Sequence, residues 1–291
     1  MVSAPDGSFD RSGDSPGDSP AGSAEGSRQS YDEGCERPDL AGGCFGSVRV
    51  FDRLDSTNRY LVDAAESGAE PGFVAIAGFQ TAGRGRLGRT WEAPDRSALL
   101  LSALVASARM DADVVAVIPL AAGVAAADAV VAVSGVEIGL KWPNDLRWDG
   151  RKLGGILCES VADSGGEINA VVVGVGINLR ADALSALSQE AASVAVALDQ
   201  AGPVVSRDAL ATQFLVALSS WLDRLERGEV SELISAYSDL CETLGREVRV
   251  QTPDGDLTGP AVEIAQDGAL VVEATGGDRV HVGSGEVVHV R

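Results

Sequence analysis

Between residues 47 and 176, short runs of aliphatic and β-branched residues are separated by glycines, and this pattern limits the possible folds more than any other feature. Runs of roughly four to eight such residues between turn-forming residues are typical of β-strands. The runs that predict strands lie at 48–51, 73–79, 99–105, 136–140, 155–161 and 170–176. The chain is therefore expected to contain a sheet.

Helical patterns interrupt and follow these runs. Residues 55–57 supply N-cap side chains, and the stretch 114–133 is apolar on most faces, as a helix packed on a sheet would be. Apolar residues recur at helical spacing at 210–225 and at 231–244, each time ahead of a glycine. Strands and helices in this order predict a layered α/β or α+β domain.

After Gly245 the hydrophobic period changes to two, and turn-forming residues recur about every ten residues. This pattern predicts a small all-β barrel or sandwich of roughly five strands. We therefore place a domain boundary near residue 245, with a larger domain at 47–244 and a smaller one at 245–291.

The N-terminal 46 residues hold nine acids against three bases, a balance of 9 − 3 = 6 negative charges. They are rich in Gly, Ser, Pro and Ala, so residues 1–46 are predicted to form a disordered, acidic, low-complexity tail. The tail lacks the basic and apolar regions of a secretory signal. The longest apolar stretch, 114–127, is too short for a membrane span and contains Pro119 and Gly123. A soluble cytoplasmic protein is expected.

Outside this tail, 23 − 3 = 20 bases face 43 − 9 = 34 acids, which leaves 14 negative charges. Such a field repels polyphosphate backbones, so general DNA binding is not expected. The four cysteines form no Cys-x-x-Cys pair, and both histidines lie near the C-terminus. Zinc sites of the Cys/His type and hydrolase triads are therefore not expected.

Residues 83–89 read Gly-Arg-Gly-Arg-Leu-Gly-Arg, a segment that we term the arginine loop. Its glycines match the dinucleotide-binding string Gly-x-Gly-x-x-Gly, but Pro94 indicates a loop where such a site needs a helix. No Gly-Lys-Ser/Thr follows, which excludes a P-loop. Arg84 and Arg86, two apart in an extended segment, would point to the same side and hold oxyanions. A solvated basic loop is the plainer alternative.

The Lys-Trp-Pro-Asn-Asp run at 141–145 closes a predicted strand, because proline cannot donate to a ladder and Asn-Asp favours a turn. Lys152 follows seven residues after Asp145, next to small residues that permit close ligand contact. A capped turn and an exposed lysine would explain each segment alone. Together with the arginine loop, they predict an anion site for a phosphoanhydride and a carboxylate, as acyl-adenylate chemistry requires.

The order of five motifs resembles the biotin protein ligases over about residues 47–291. The motifs are Asp-Ser-Thr-Asn at 55–58, Gln-Thr-Ala-Gly-Arg-Gly-Arg-Leu-Gly-Arg at 80–89, Lys-Trp-Pro-Asn-Asp at 141–145, Lys-Leu-Gly-Gly-Ile-Leu at 152–157 and Gly-Val-Gly-Ile-Asn-Leu at 174–179. The arginine loop followed by Lys-Trp-Pro-Asn-Asp, with Lys152 eleven residues after Lys141, is highly specific to that family.

The resemblance implies an α+β fold in which a mixed β-sheet of the class II synthetase type is flanked by helices, with a small SH3-like β-barrel at the C-terminus. It implies an enzyme that makes biotinyl-5'-AMP from biotin and ATP with Mg²⁺. Biotin then passes to one lysine of a biotin carboxyl carrier domain, such as that of acetyl-CoA carboxylase. The winged-helix DNA-binding domain of repressor-type members is missing, so no transcriptional repression is expected. A monomer or weak homodimer is expected, and the metal ligands stay unknown.

The resemblance also implies roles for single residues. The biotin pocket would comprise Ser56, Thr57, Asn58, Gln80, Gly83, Arg84, Gly85, Arg86, Lys152 and Gly155. The nucleotide side would comprise Arg86, Arg89, Trp91, Lys141, Asn144, Gly174 and Asn178. Arg84, Arg86, Lys152 and Asp145 would be catalytic, with Lys152 on the reacting carboxylate and phosphate oxygens and Asp145 facing the acceptor amine.

Two other functions remain open at this point. A lipoate or octanoyl ligase shares the central fold and the lysine, but it requires a longer apolar channel and a different arginine loop. A non-catalytic sensor would bind biotinyl-adenylate and a protein partner without transferring biotin.

Overall fold

The computed structural model describes residues 34–106, 110–162, 165–252, 255–274 and 276–290. Its first eight strands are β1 (Cys35–Glu36), β2 (Ser47–Leu54), β3 (Phe73–Gln80), β4 (Ala98–Ala106), β5 (Gly139–Lys141), β6 (Asp145–Trp148), β7 (Arg151–Ala162) and β8 (Ile168–Asn178). They form one sheet in the order β1-β2-β3-β4-β8-β7-β6-β5. The β2–β3 pair is parallel and the other pairs are antiparallel, so the predicted mixed sheet is confirmed.

The sequence predicted a strand at 136–140. In the structure the strand β5 is shorter and begins further along the chain, because it covers only Gly139–Lys141. Strand β6, which begins at Asp145, was not predicted. The reason is that β5 and β6 pair through three registered residue pairs across a tight turn, too few for a visible period in sequence.

Six α-helices accompany the sheet in the described residues: α1 (Thr57–Glu66), α2 (Ala112–Ser134), α3 (Gln189–Val194), α4 (Leu198–Ala201), α5 (Arg207–Glu226) and α6 (Val230–Leu240). Ser56 caps α1 as predicted, because its hydroxyl accepts a hydrogen bond from Arg59 N at 3.4 Å. On β4, Ser102 bonds to residues of α1, whereas its neighbours Leu101 and Ala103 belong to the core that contains α2. Strand side chains alternate between faces, so α1 and α2 lie on opposite faces of the sheet.

Helix α2 is longer than the apolar stretch that the sequence indicated. It has 23 residues, runs through Pro119 and Gly123, and is long and apolar enough to cross a membrane by length and composition. The expectation that the apolar stretch is too short was therefore wrong. In the structure 67% of its most apolar window is buried, and it packs along α5 and α6. A core helix passes the same test, and this burial is typical of one.

The boundary predicted for the N-terminal tail is also wrong, because part of the predicted tail is structured. Residues 35–36 form β1, and Pro38–Leu40 forms a turn of 3-10 helix. Leu40 and Phe45 are buried in the main core. Two apolar side chains among many polar ones were too few to signal this in the sequence. Residues 1–33 of the predicted tail lie outside the described residues.

The C-terminal strands form a separate five-stranded antiparallel sheet, as the period of two predicted. They are β9 (Glu247–Thr252), β10 (Gly255–Ile264), β11 (Leu270–Glu273), β12 (Arg279–Val282) and β13 (Glu286–His289). Strand β10 pairs with both β9 and β11 and has a register shift between Ala261 and Glu263. At Gly259 an added Cβ would lie 2.0 Å from the Glu273 carbonyl oxygen, so this close approach of the two chain segments requires glycine. Buried valines of the small sheet, such as Val248 and Val272, join the main core.

Candidate active site

An open cleft contains most of the predicted site residues. Its cavity volume is about 170 Å³, and its walls come from the start of α1, the arginine loop, β4, β7, β8, the β5–β6 turn and the C-terminal sheet. The predicted residues that line it are Ser56, Thr57, Asn58, Gln80, Arg84, Gly85, Arg86, Arg89, Trp91, Lys141, Asn144, Asp145, Lys152, Gly155 and Gly174.

The arginine loop is closed by its own backbone. Gly85 N donates to Arg89 O at 2.7 Å, and Trp91 N donates to Gly83 O at 3.0 Å. An added Cβ on Gly83 would lie 2.3 Å from the Trp91 carbonyl oxygen, so this close approach requires glycine. Gly83 was predicted to belong to the biotin pocket, but it does not line the cleft. It supports the base of the loop instead.

The loop is not extended throughout, so the expectation that Arg84 and Arg86 point to one side was wrong. A 3-10 turn spans Arg86–Gly88, with Leu87 in the left-handed region at φ 55°. Arg84 Nη2 lies 2.8 Å from Glu159, whereas Arg86 Nη1 lies 3.4 Å from Asn144 Oδ1. The turn therefore sends the two guanidinium groups to different walls of the cleft.

A buried polar pocket lies at the start of α1. Thr57 N donates to Gln80 Oε1 at 2.7 Å, and Ser102 Oγ lies 2.7 Å from Thr57 Oγ1 and 2.6 Å from Asn58 Oδ1. We term the cleft wall formed by Ser56, Thr57, Asn58 and Gln80 the headgroup pocket. The sequence did not single out Ser102, because the strand pattern around it is uniformly apolar.

Glycines on β8 leave the space that is occupied by the headgroup pocket and by the nearby Trp91 ring. An added Cβ on Gly174 would lie 2.0 Å from Asn58 Oδ1, and one on Gly176 would lie 2.7 Å from the Trp91 ring. Gly174 was predicted as a site residue and Gly176 was not, although both belong to the same Gly-x-Gly string. Each glycine makes room for a side chain of the cleft wall.

Lys152 and Asp145 form an ion pair in the cleft. Lys152 Nζ lies 2.5 Å from Asp145 Oδ1 and 5.8 Å from the centroid of the Trp91 ring. An added Cβ on Gly155 would meet Lys152 Cε at 3.6 Å, an ordinary van der Waals contact. The predicted catalytic lysine and aspartate are therefore together, and each neutralises the other in this structure.

Two further cations of the cleft differ, because they have no carboxylate within ion-pair distance among the described residues. Lys141 and Arg86 are both partly buried. Burial lowers the pKa of Lys141, and burial also lowers the pKa of Arg86. Removing a charge from water without an ion pair is unfavourable, and Asp145 offsets this only in part, so these two cations favour the binding of an anion.

The C-terminal sheet contributes a wall that the sequence did not predict. Gly285, Glu286 and Val287 line the cleft, and the Glu286 carboxylate pairs with Arg89. Arg89 holds the pKa of Glu286 below its ordinary value. The only sequence signal was a Gly-Glu turn between two β-runs, which resembles any hairpin.

The last predicted site residue, Asn178, lies outside the cleft. Its side chain is 6% exposed and donates from Nδ2 to Val196 O at 3.2 Å. In this position Asn178 holds the segment after α3 against β8, and a contact with adenine stays a prediction. Among the residues that the structure describes, no group of three or more His, Cys, Asp or Glu side chains could hold a metal ion.

Residues 50–178 match the model of the biotin/lipoate A/B protein ligase family, and residues 243–290 match that of the biotin protein ligase C-terminal domain. Over 271 residues the chain is 36% identical to a biotin-(acetyl-CoA-carboxylase) ligase of Mycobacterium tuberculosis, covering 91% of this chain and 97% of that protein. The chain belongs to the biotin protein ligase family.

Two further matches agree with this assignment. The bifunctional ligase/repressor BirA of Escherichia coli is 31% identical over 232 residues, which cover 79% of this chain and 70% of that protein. The solved biotin protein ligase of Aquifex aeolicus in complex with biotin and ATP has a TM-score of 0.72 at 24% identity, covering 84% of this chain and 99% of that one. The structural likeness supports the fold, including the predicted α+β architecture with its SH3-like C-terminal domain.

Proposed function

We propose that the chain is an ATP-dependent ligase that converts biotin into biotinyl-5'-AMP and transfers biotin to one lysine of an acetyl-CoA carboxylase carrier domain. The observation that carries this proposal is the pair of desolvated cations, Lys141 and Arg86, beside the Lys152–Asp145 pair in one cleft. An acid and a nucleotide together supply the anions that this arrangement favours. The ligase relative that is 36% identical over almost the whole chain points to the same reaction.

In the first step, a carboxylate oxygen of biotin attacks the α-phosphorus of ATP. A bond from that oxygen to phosphorus forms, the bond to the bridging oxygen breaks, and pyrophosphate leaves. Attack of one anion on another is slow because of their repulsion, so fixed cations lower the barrier by about 3 kcal/mol each. Arg86 and Lys141 are available for this role, and Lys152 becomes available when its contact with Asp145 is exchanged for ligand oxygens.

In the second step, the amine of the acceptor lysine attacks the carbonyl carbon of biotinyl-5'-AMP. The carbon–nitrogen bond forms, AMP leaves, and the amine loses a proton. An amine must be unprotonated to attack. Asp145, once Lys152 turns to the ligand, has a free carboxylate in the cleft that can orient the amine and accept this proton.

A lipoate or octanoyl ligase is the alternative enzyme, and the first family model includes both classes. A non-catalytic sensor is the alternative from another class. Incubation of the purified chain with a carrier domain, ATP and labelled biotin, lipoate or octanoate in turn distinguishes all three. We expect label on the carrier with biotin and ATP together, and none with a carrier whose acceptor lysine is arginine. Transfer of lipoate alone would support the rival enzyme, and adenylate without any transfer would support the sensor.

We propose that Mg²⁺ enters bound to ATP as part of the substrate. Mg²⁺ is commonly held by phosphate oxygens, water and one or two carboxylates. The cleft carboxylates, Asp145 and Glu286, are each paired with a cation of the protein itself. A metal delivered by the nucleotide therefore suits this cleft better than a resident ion.

We also propose a cytoplasmic location and a monomer or weak homodimer that binds neither DNA nor membranes. Four free cysteines and the need for ATP suit a reducing cytoplasm. The net negative charge opposes association with nucleic-acid backbones.

A further inference from the structure

A carboxylate that is absent from the predicted site residues joins the headgroup pocket to the arginine loop. Glu159 on β7 places Oε1 2.8 Å from Arg84 Nη2 and Oε2 2.9 Å from Asn58 Nδ2. Its side chain is 22% exposed, so water weakens both contacts less than at an open surface. The two oxygens of one carboxylate thus serve two different donors.

The contact with Asn58 completes the hydrogen bonding of that amide. Asn58 Nδ2 also donates to Leu157 O at 3.1 Å, and Asn58 Oδ1 accepts from Ser102 Oγ at 2.6 Å. Both amide hydrogens are therefore used within the protein, and one lone pair of Oδ1 remains for a ligand. Asn58 can present an acceptor to the ureido group of biotin, but in this arrangement it has no free donor.

The contact with Arg84 fixes the base of the arginine loop. Arg84 bridges to Thr90 across the loop, and its side chain is 45% exposed. A flexible arginine at this exposure has many rotamers, and a charge-assisted hydrogen bond selects one of them. Glu159 therefore determines where the Arg84 guanidinium stands relative to the headgroup pocket.

We propose that Glu159 is a positioning residue for biotin binding, which aligns the Asn58 amide with the Arg84 guanidinium so that the headgroup and the carboxylate of biotin meet a preformed site. The inference rests on the proposed function. Glu159 does not touch the reacting atoms and acts through its two partners.

Glutamine has nearly the same shape as glutamate, so Glu159→Gln tests the two carboxylate oxygens without changing the size of the side chain. Both oxygens of Glu159 accept hydrogen bonds from N–H groups, whereas glutamine has one oxygen and one NH₂ group. In Glu159→Gln one contact therefore becomes donor against donor, whichever way the amide turns. We expect the KM for biotin to rise about tenfold, which corresponds to about 1.4 kcal/mol. The kcat and the KM for ATP should change by less than about threefold, because Glu159 does not touch the reacting atoms.

Asp52→Asn is the matched control. Asp52 pairs with Arg96 at 2.7 Å on the exposed surface of β2, where both side chains are more than half exposed. This variant makes the same change from carboxylate to amide, and we expect wild-type values of both KM constants. Should Glu159→Gln fail to fold, Glu159→Asp keeps the charge but is one methylene too short to hold both partners, and the same rise in the KM for biotin is expected.

A double-mutant cycle then shows whether Glu159 acts through Arg84. In an Arg84→Ala background, Glu159→Gln should change the affinity for biotin by less than about twofold, measured by calorimetry. A wild-type KM for biotin in Glu159→Gln, or a full tenfold effect in the Arg84→Ala background, would overturn the inference. Wild-type protein that neither binds nor activates biotin would instead overturn the proposed function.

Discussion

At the scale of single residues, the cations of the cleft differ in how their charge is balanced. Arg84, Arg89 and Lys152 each form an ion pair with a carboxylate, whereas Lys141 and Arg86 form none among the described residues and are attracted by Asp145 only from a greater distance. A cation that is paired with a carboxylate has a fixed position before a ligand arrives. A cation without an ion pair responds most to the charge of the ligand. The sequence showed all five cations but not this division, because Glu159 and Glu286 are far from the arginine loop along the chain.

Proton uptake by Lys141 when ATP binds provides a test of the anion site. Burial lowers the pKa of its amine below the ordinary value, and an ATP phosphate nearby would favour the charged form and raise that pKa again. At a pH between the lowered and the raised pKa, binding of ATP should therefore take up a proton. Calorimetry at alkaline pH in buffers of different ionisation enthalpy measures this uptake. It should vanish in Lys141→Met, and equal uptake by both proteins would assign the proton elsewhere.

Gly83 tests the base of the arginine loop. In Gly83→Ala the new Cβ would lie 2.3 Å from Trp91 O, so the loop must shift and the arginines with it. We expect kcat/KM for biotin to fall about tenfold to a hundredfold, since small misplacements of catalytic groups cost factors of this size. Gly46→Ala is the control, because its Cβ would meet nothing within 4 Å. A Gly83→Ala protein as active as Gly46→Ala would show that the loop tolerates the shift.

At the scale of elements, hydrogen bonds to the C-terminal part of the chain fix the position of the β5–β6 turn. Trp142 N donates to the hydroxyl of Thr243 at 3.1 Å, and Trp142 Nε1 donates to Gly268 O at 3.0 Å. His289 Nε2 of β13 lies 3.3 Å from the same hydroxyl. The Lys-Trp-Pro-Asn-Asp motif revealed the turn in the sequence, but contacts with residues about a hundred positions away could not be predicted from a local pattern.

Thr243→Val tests this support. The substitution keeps the shape of a fully buried side chain and leaves the Trp142 N–H without its acceptor. A buried donor without a partner costs about 1–3 kcal/mol, so the free energy of unfolding should fall by that amount and the KM for ATP should rise. Denaturant unfolding and steady-state kinetics measure the two effects. Thr212→Val, whose hydroxyl makes a long 3.4 Å contact with Leu40 O, is the control and should change neither.

At the scale of the whole molecule, an acidic protein surrounds a cationic cleft. The described fold follows the sequence pattern closely where periods are long, as in β2, β3, β7, β8, α2 and α5. The pattern failed for β6 and residues 34–46, where short segments become ordered only through packing on the rest of the chain. For the same reason, the wall contributed by Glu286 could not be predicted: it exists only after the two sheets have packed together.

The interface between the two sheets should be sensitive to acid. Burial, together with the smaller repulsion from the nearby cations Lys141, Arg246 and Arg147, lowers the pKa of His289 to about 4. Between the ordinary pKa of about 6.5 and this value, the unfolded chain binds the proton and the folded chain does not, so stability falls as pH falls through this window. We expect a loss of about 1 kcal/mol after allowance for solvent screening.

Thermal unfolding at pH 7 and pH 4.5, compared with His289→Gln, isolates this contribution. The variant should lose less stability than the wild type over the same interval, because it has no imidazole to protonate. Identical losses in both proteins would place the acid sensitivity in the carboxylates instead.

The most direct test of the central claim, that the cations of this cleft activate a carboxylate on ATP, is the biotin-dependent exchange of labelled pyrophosphate into ATP. The wild-type chain should exchange label only when biotin is present, and Lys152→Ala should lose about a hundredfold or more of that rate while remaining folded. Exchange by Lys152→Ala at the wild-type rate, or exchange by the wild type without biotin, would contradict the account.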